Sequence, residues 1–200
     1  TRRGTNAITR IGLFVRGESS LSYWQKRFDE YSVEYSDVTN YGGRKSLLFE
    51  DGDGLRLALQ VVDDEAVSRF ESWDGSDVPE EYQIMSMGTV EMTVRRIEKM
   101  ERTLTTLFDY VKVSGDETKR LYRPSGSDGH SEILVKFKDG DRERPGRGSV
   151  HHLAINVENE ETLQYWDEKV TERGFRSTGV VDRHFFRSLY FRESNGIMFE

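Results

Sequence analysis

Apolar residues at the start of the chain alternate, then switch to a longer period, then alternate again. Ile11, Leu13 and Val15 recur at every second position, as in a strand with one buried face. Leu21, Trp24 and Phe28 follow at i, i+3 and i+7 and line one side of a helix. Three more strand-like runs come next. Between the last two, Asp51-Gly52-Asp53-Gly54 supplies residues that tolerate the positive φ of a tight hairpin turn. The pattern predicts a βαβββ unit over 1–62, with its first strand at about 9–15.

The same pattern returns at a constant offset of 142 residues, without a gap. Ile11, Leu13 and Val15 fall on Leu153, Ile155 and Val157; Leu21, Trp24 and Phe28 fall on Leu163, Trp166 and Val170. Ser46-Leu47-Leu48-Phe49 falls on Ser188-Leu189-Tyr190-Phe191, and Gly54 on Gly196. A second βαβββ unit is therefore predicted over 149–200, its first strand at 151–157, its helix stopped at Gly174 and its last hairpin turned at Glu193-Ser194-Asn195-Gly196. A looser copy fits 84–138, with a strand at Thr89–Val94, a helix at about 97–109 carrying Met100, Leu104 and Leu107, and strands near 111, 120 and 134. Residues 63–83 hold eight acids with Gly75 and Pro79 and read as a solvated connector. The Gly/Arg/Pro stretch 139–148 reads as a linker, with Arg142, Arg144 and Arg147 as solvated loop charges or, alternatively, substrate-anion contacts, since Arg suits bidentate anion binding. The fold class is α+β, in tandem βαβββ units.

Composition narrows the chemistry. With no cysteine there is no disulfide framework and no thiolate site, so any metal has to use His, Asp or Glu. This suits a cytoplasmic protein. A net charge of −7 provides no basic field for nucleic acid or an anionic membrane surface. No apolar run approaches the roughly 18 residues needed to span a bilayer. The absent initiator Met and the strand-like ending Gly196-Ile197-Met198-Phe199-Glu200 read as a segment of a longer chain.

A duplicated scaffold is its own control, because positions that differ chemically between copies are not dictated by shared packing. His152 falls on Arg10, Tyr190 on Leu48, and Glu200 on Ala58. Strand parity puts Leu153, Ile155, Val157, Leu189, Phe191, Ile197 and Phe199 toward the helix, and His152, Tyr190 and Glu200 on the opposite, concave face. An imidazole and a carboxylate on adjacent strands of one face can share a metal, since ligand bonds measure only about 2.0–2.2 Å. A solvated strand-end acid at 200 and a packed aromatic at 190 are the alternatives. Of the other histidines, His151 has helix-facing parity and suits a structural or outer-shell role. His184 lies at the entry to these strands, as a substrate contact or an ordinary loop residue, and His130 is predicted to be exposed.

Val150-His151-His152-Leu153-Ala154-Ile155 and the ending Tyr190-Phe191-Arg192-Glu193-Ser194-Asn195-Gly196-Ile197-Met198-Phe199-Glu200 resemble the first and last strands of the vicinal oxygen chelate superfamily, which includes glyoxalases, fosfomycin-resistance proteins and extradiol dioxygenases. Val181-Asp182-Arg183-His184-Phe185-Phe186-Arg187-Ser188-Leu189-Tyr190-Phe191-Arg192-Glu193, with Trp73 and Asp77-Val78-Pro79-Glu80-Glu81, is similar to the hydroquinone-type (MhqO-like) ring-cleaving dioxygenases within it. The resemblance covers nearly the whole chain. It implies four βαβββ units, of which the chain matches the second (1–62), third (84–138) and fourth (149–200).

It also implies a divalent metal, Fe2+ or alternatively Mn2+ or another ion, held by His152 and Glu200. A third ligand, a histidine, is expected from the first strand of a first unit; Thr89, at the His152 position of the middle unit, cannot replace it. Tyr190 becomes a catalytic acid/base, and His184, His151 and Arg183 become substrate or outer-shell residues. The expected partners are a small hydroquinone- or catechol-like aromatic and O2, with a homo-oligomer as a further expectation from an exposed sheet edge. The alternatives are a glyoxalase-like isomerase or thiol transferase on the same metal, and a metal-free small-molecule-binding resistance module.

Overall fold

A computed structural model describes residues 2–126 and 130–200. In chain order, β1 (Ala7–Arg16), α1 (Gly17–Glu30), β2 (Thr39–Tyr41), β3 (Arg44–Glu50) and β4 (Arg56–Val62) form a first βαβββ arrangement. The connector carries the short helix α2 (Asp64–Val67) and a 3-10 turn at Glu80–Tyr82. The arrangement then recurs as β5 (Ile84–Val94), α3 (Ile97–Thr106), β6 (Tyr110–Gly115), β7 (Lys119–Pro124) and β8 (Ile133–Phe137). The last third holds β9 (His152–Leu153), α4 (Glu160–Glu172), β10 (Val181–Asp182), β11 (Arg187–Ser188), β12 (Phe191–Arg192) and β13 (Met198–Phe199). No helix among the described residues is long and apolar enough to cross a membrane.

Eight strands make one mixed sheet, ordered β2-β3-β4-β1-β5-β8-β7-β6. The two first strands of the repeat, β1 and β5, pair antiparallel at its centre, and each pairs parallel with the last strand of its own arrangement. The predicted apolar stripes are the buried ones. Leu21 and Phe28 of α1 pack with Val15, Leu47 and Leu59. Met100 and Leu104 of α3, with Leu107 just beyond it, join a larger core that also takes Leu163 and Val170 of α4 and Leu189, Phe191, Ile197 and Phe199. The last third is thus seated on the α3 side of the central sheet.

Both hairpin turns read from the sequence are present. Gly54 (φ +82°) and Gly196 (φ +90°) close them in the left-handed region, where a Cβ is costly. Each turn begins with an acid that caps it. Asp51 accepts the N–H groups of Asp53 and Leu55, while Glu193 accepts those of Asn195 and Ile197. Gly174, at φ +80°, follows the end of α4.

Three expectations need correction. The first strand of the last unit is two residues long, not seven, because β9 pairs only with β13 whereas β1 is paired along both edges. The connector is not wholly solvated: Val67 is buried against Phe14, Val62 and Met85, and Trp24 Nε1 donates to Tyr82 O at 2.8 Å. His130 is not exposed. It is 6% accessible, lies between Phe14 and Phe70 with both ring centroids at 5.5 Å, and hydrogen-bonds Ala66 O. A polar ring can be buried there because the connector brings it a carbonyl. Of the stretch Ser125 to His130, residues 127–129 lie outside the described residues.

Candidate functional site

In the last third, parallel pairing of β13 with β9 aligns Met198 with His152 and Phe199 with Leu153. Two backbone bonds extend the ladder past it, Glu200 N to Leu153 O at 2.9 Å and Ile155 N to Glu200 O at 3.0 Å. Glu200 is thereby held one strand away from His152. Phe199 is fully buried and Phe191 and Leu189 nearly so, which turns the alternate residues Glu200 and Tyr190 to the other face. Thr178, which the sequence reading did not single out, anchors Tyr190 from the neighbouring segment. Its hydroxyl accepts Tyr190 N–H at 2.9 Å, and its own N–H donates to Tyr190 O at 3.0 Å.

His152, Tyr190 and Glu200 meet. His152 Nε2 lies 2.6 Å from Glu200 Oε2, and Tyr190 Oη donates to Glu200 Oε1, also at 2.6 Å. One carboxylate therefore joins an imidazole on one oxygen and a phenol on the other, with the two rings edge-to-face at 5.8 Å. The Glu200 side chain is 12% accessible and that of His152 is 31%, so the group is recessed yet open to a ligand.

The surrounding residues divide. His151 is exposed rather than packed toward the helix, because so short a strand does not hold its parity. Its Nδ1 lies 2.9 Å from His152 Nδ1, which ties down the side of the imidazole that faces away from Glu200. The Arg183 guanidinium lies over the Tyr190 ring, 5.2 Å from its centroid. His184 has φ +73° and is exposed; its N–H is held by Asp182 at 2.7 Å and its ring rests on Phe185, so it does not join the three.

A second polar assembly lies in the central sheet, on the face of β5 turned away from α3. Glu91 there accepts from Thr9 Oγ1 at 2.6 Å and from Tyr41 Oη at 2.8 Å, with Lys136 Nζ at 3.3 Å. Desolvation pushes the Glu91 carboxyl up, but the Thr9 bond, the Lys136 charge, the Tyr41 hydroxyl and Arg10 outweigh it and hold it below the ordinary value. Tyr41 is driven far above the usual phenol range by burial and by the Glu91 charge. Beside it, Glu132 is fully buried, bonded by Arg123 Nε at 3.0 Å and Nη2 at 2.6 Å, ion-paired to Arg44 and reached by Thr89 Oγ1 at 3.4 Å. The sequence signal for this cluster was a single carboxylate, Glu91, inside an otherwise apolar and threonine-rich strand.

Imidazole nitrogen and carboxylate oxygen form a hard donor pair. Opening their contact by a few tenths of an ångström would let both reach one ion at about 2.0–2.2 Å. Among the described residues no group of three His, Cys, Asp or Glu side chains is arranged so that it could hold a metal ion. The donor set therefore fits two positions of a metal shell and leaves the remainder to groups outside it.

A family model for the Glyoxalase/Bleomycin resistance protein/Dioxygenase superfamily matches residues 8–200. The chain belongs to that superfamily. Similar proteins within reach of this glyoxalase-type family include "Putative ring-cleaving dioxygenase MhqA" of Bacillus subtilis (strain 168), 38% identical over 203 residues, which span 98% of this chain and 64% of that protein. The "Chlorohydroquinone/hydroquinone 1,2-dioxygenase" of Sphingobium indicum is 27% identical over 207 residues, spanning 100% of this chain and 63% of its own length. The chain thus spans less than two thirds of these curated relatives. A crystal structure of a Bacillus subtilis strain 168 protein superposes with a TM-score of 0.88 at 24% identity, covering 99% of this chain and 62% of the other, and it shows the same fold. The glyoxalase-type fold that the resemblance implied is the one observed.

Proposed function

We propose that the chain forms the larger part of a metal-dependent ring-cleaving dioxygenase acting on a hydroquinone- or catechol-like aromatic. The carrying observation is the shared carboxylate, Glu200, with His152 on one oxygen and Tyr190 on the other. The names of the similar proteins support the reaction class. His152 Nε2 and Glu200 Oε2 are assigned as metal ligands, with a third ligand, a histidine, from a unit that this chain does not contain. Bound there, Fe2+, or alternatively Mn2+, supplies Lewis acidity and redox chemistry toward O2.

The chain's own residues do the rest. The His151–His152 contact fixes the imidazole so that Nε2 faces the carboxylate. Tyr190 Oη holds a proton against Glu200 Oε1, where it orients the carboxylate and can pass a proton to or from a substrate oxygen entering beside it. Arg183 places a positive charge next to that phenol, suited to a deprotonated ring oxygen. Both atoms of O2 enter the cleaved product, so no external reductant is needed. The setting is assigned to the cytoplasm, in a homo-oligomer. Oxygen uptake by the iron-reconstituted full-length protein with hydroquinones and catechols tests the proposal; uptake is expected, and an enzyme that binds iron yet consumes no oxygen with any diphenol overturns it.

A further inference from the structure

A cleft of about 570 Å³ runs between residues 142–145 of the linker and the last hairpin, bounded by Ile8, Pro145, Val150 and Met198. Two arginines converge in it. Arg192 Nη1 donates to Gly196 O at 2.8 Å, and Arg142 Nη2 donates to the same oxygen at 3.1 Å; Arg144 lines the cleft beside them. A guanidinium has five N–H donors, and this neutral carbonyl takes one from each of the two. It cannot cancel the repulsion between like charges gathered at one atom. Among the described residues, none of the three is ion-paired to a carboxylate, although Arg2, Arg3 and Arg147 nearby all are.

The one acid lining the cleft, Glu143, has partners other than Arg142 and Arg192. Burial raises its carboxyl, and the charges of Arg56 and Arg3 and the Gly4 N–H oppose that rise. The polar half of the cleft therefore offers unclaimed guanidinium donors in a fork geometry that matches an oxyanion. The other half, with Ile8, Pro145, Val150 and Met198, offers apolar wall that no inorganic ion would use.

We infer that this cleft binds a small organic anion, its phosphate, sulfate or carboxylate head between Arg142 and Arg192 and its apolar body against Pro145, Val150 and Met198. None of His152, Tyr190 and Glu200 lines this cleft, although His151, which contacts His152, does.

Titration calorimetry of the full-length protein at constant ionic strength in chloride, with phenyl phosphate and with inorganic phosphate as probes, tests this. Phenyl phosphate is expected to bind saturably in the micromolar to millimolar range and more tightly than inorganic phosphate. The double variant Arg142→Gln/Arg192→Gln is expected to lose affinity by ~10-fold or more, the scale of a lost charge-assisted bond. Because that change also removes two bonds to the turn, Arg144→Gln provides a second variant that leaves the turn bonds intact, and it is expected to weaken binding severalfold with unchanged melting. Absence of saturable binding, or full affinity in the double variant, overturns the site. Full affinity in Arg144→Gln overturns it as well if the double variant does not fold. Equal affinity for the two probes overturns the assignment of an organic body.

Discussion

Glu132 in the central sheet and Glu200 in the last third show what pairing does to a carboxylate on the face turned away from the helices. Glu132 is fully buried under Arg44 and Arg123, with Thr89 alongside, and Glu91 beside it is enclosed by Thr9, Tyr41 and Lys136. Glu200 has an imidazole and a phenol for partners and remains reachable from solvent. A carboxylate in a closed sheet interior must be neutralised by cations from the same fold, since an unpaired buried charge is not tolerated. One on an open face can keep neutral donors and stay available to a ligand. The central assembly is built for stability, and the last one leaves its chemistry unspent.

The strongest way to break this contrast is to remove the open carboxylate. Glu200→Ala, and separately His152→Ala, should abolish iron retention by the full-length protein and lower oxygen uptake by more than ~100-fold, beyond the effect usual for an outer-shell residue. Both should melt near the wild type, as measured by metal content, an oxygen electrode and thermal unfolding. Unchanged iron content in either variant would remove it from the ligand set.

Glu132→Ala should do the reverse. Leaving Arg44 and Arg123 beside a buried vacancy is expected to cost about 3 kcal/mol in urea unfolding, with iron content per folded chain unchanged. A loss below about 1 kcal/mol would mean that the central network is not what stabilises that face.

Tyr190→Phe sharpens the open site by separating proton handling from metal binding. Turnover should fall by ~100-fold, or about 2.7 kcal/mol, with full iron content, because positioned acid–base groups contribute on that scale. Equal turnover in the two proteins would reduce Tyr190 to a packed aromatic.

The smallest effect concerns acid. Glu91 is held below the ordinary carboxylate value, so its stabilising contribution is complete above that value and is lost as pH falls through the folded one. Between pH 7 and pH 4 the urea midpoint of the wild type should drop more than that of Glu91→Gln. Parallel curves for the two would contradict the sign of the shift.

Much of the last third was legible residue by residue. The 142-residue offset exposed His152, Tyr190 and Glu200 as departures from a shared scaffold, and period-2 parity put them on one face, where they are found in contact. The turns at Gly54 and Gly196 were readable because positive φ leaves few choices of residue. The facing of His151 was misjudged because parity presumes a strand, and the ladder begins only at His152. His130 was misjudged because its burial depends on Ala66 and Phe70, some sixty residues upstream.

Period and parity are local properties of the chain, set by where each Cβ points, so the sequence by itself determined the βαβββ elements, their buried faces and the residues on the opposite one. Which unit pairs with which was decided only in three dimensions. The antiparallel β1–β5 junction and the cations over Glu132 join residues far apart in the chain, and backbone hydrogen bonds look alike whatever strands they link. Only the assembled sheet shows which carboxylates are neutralised and which stay open.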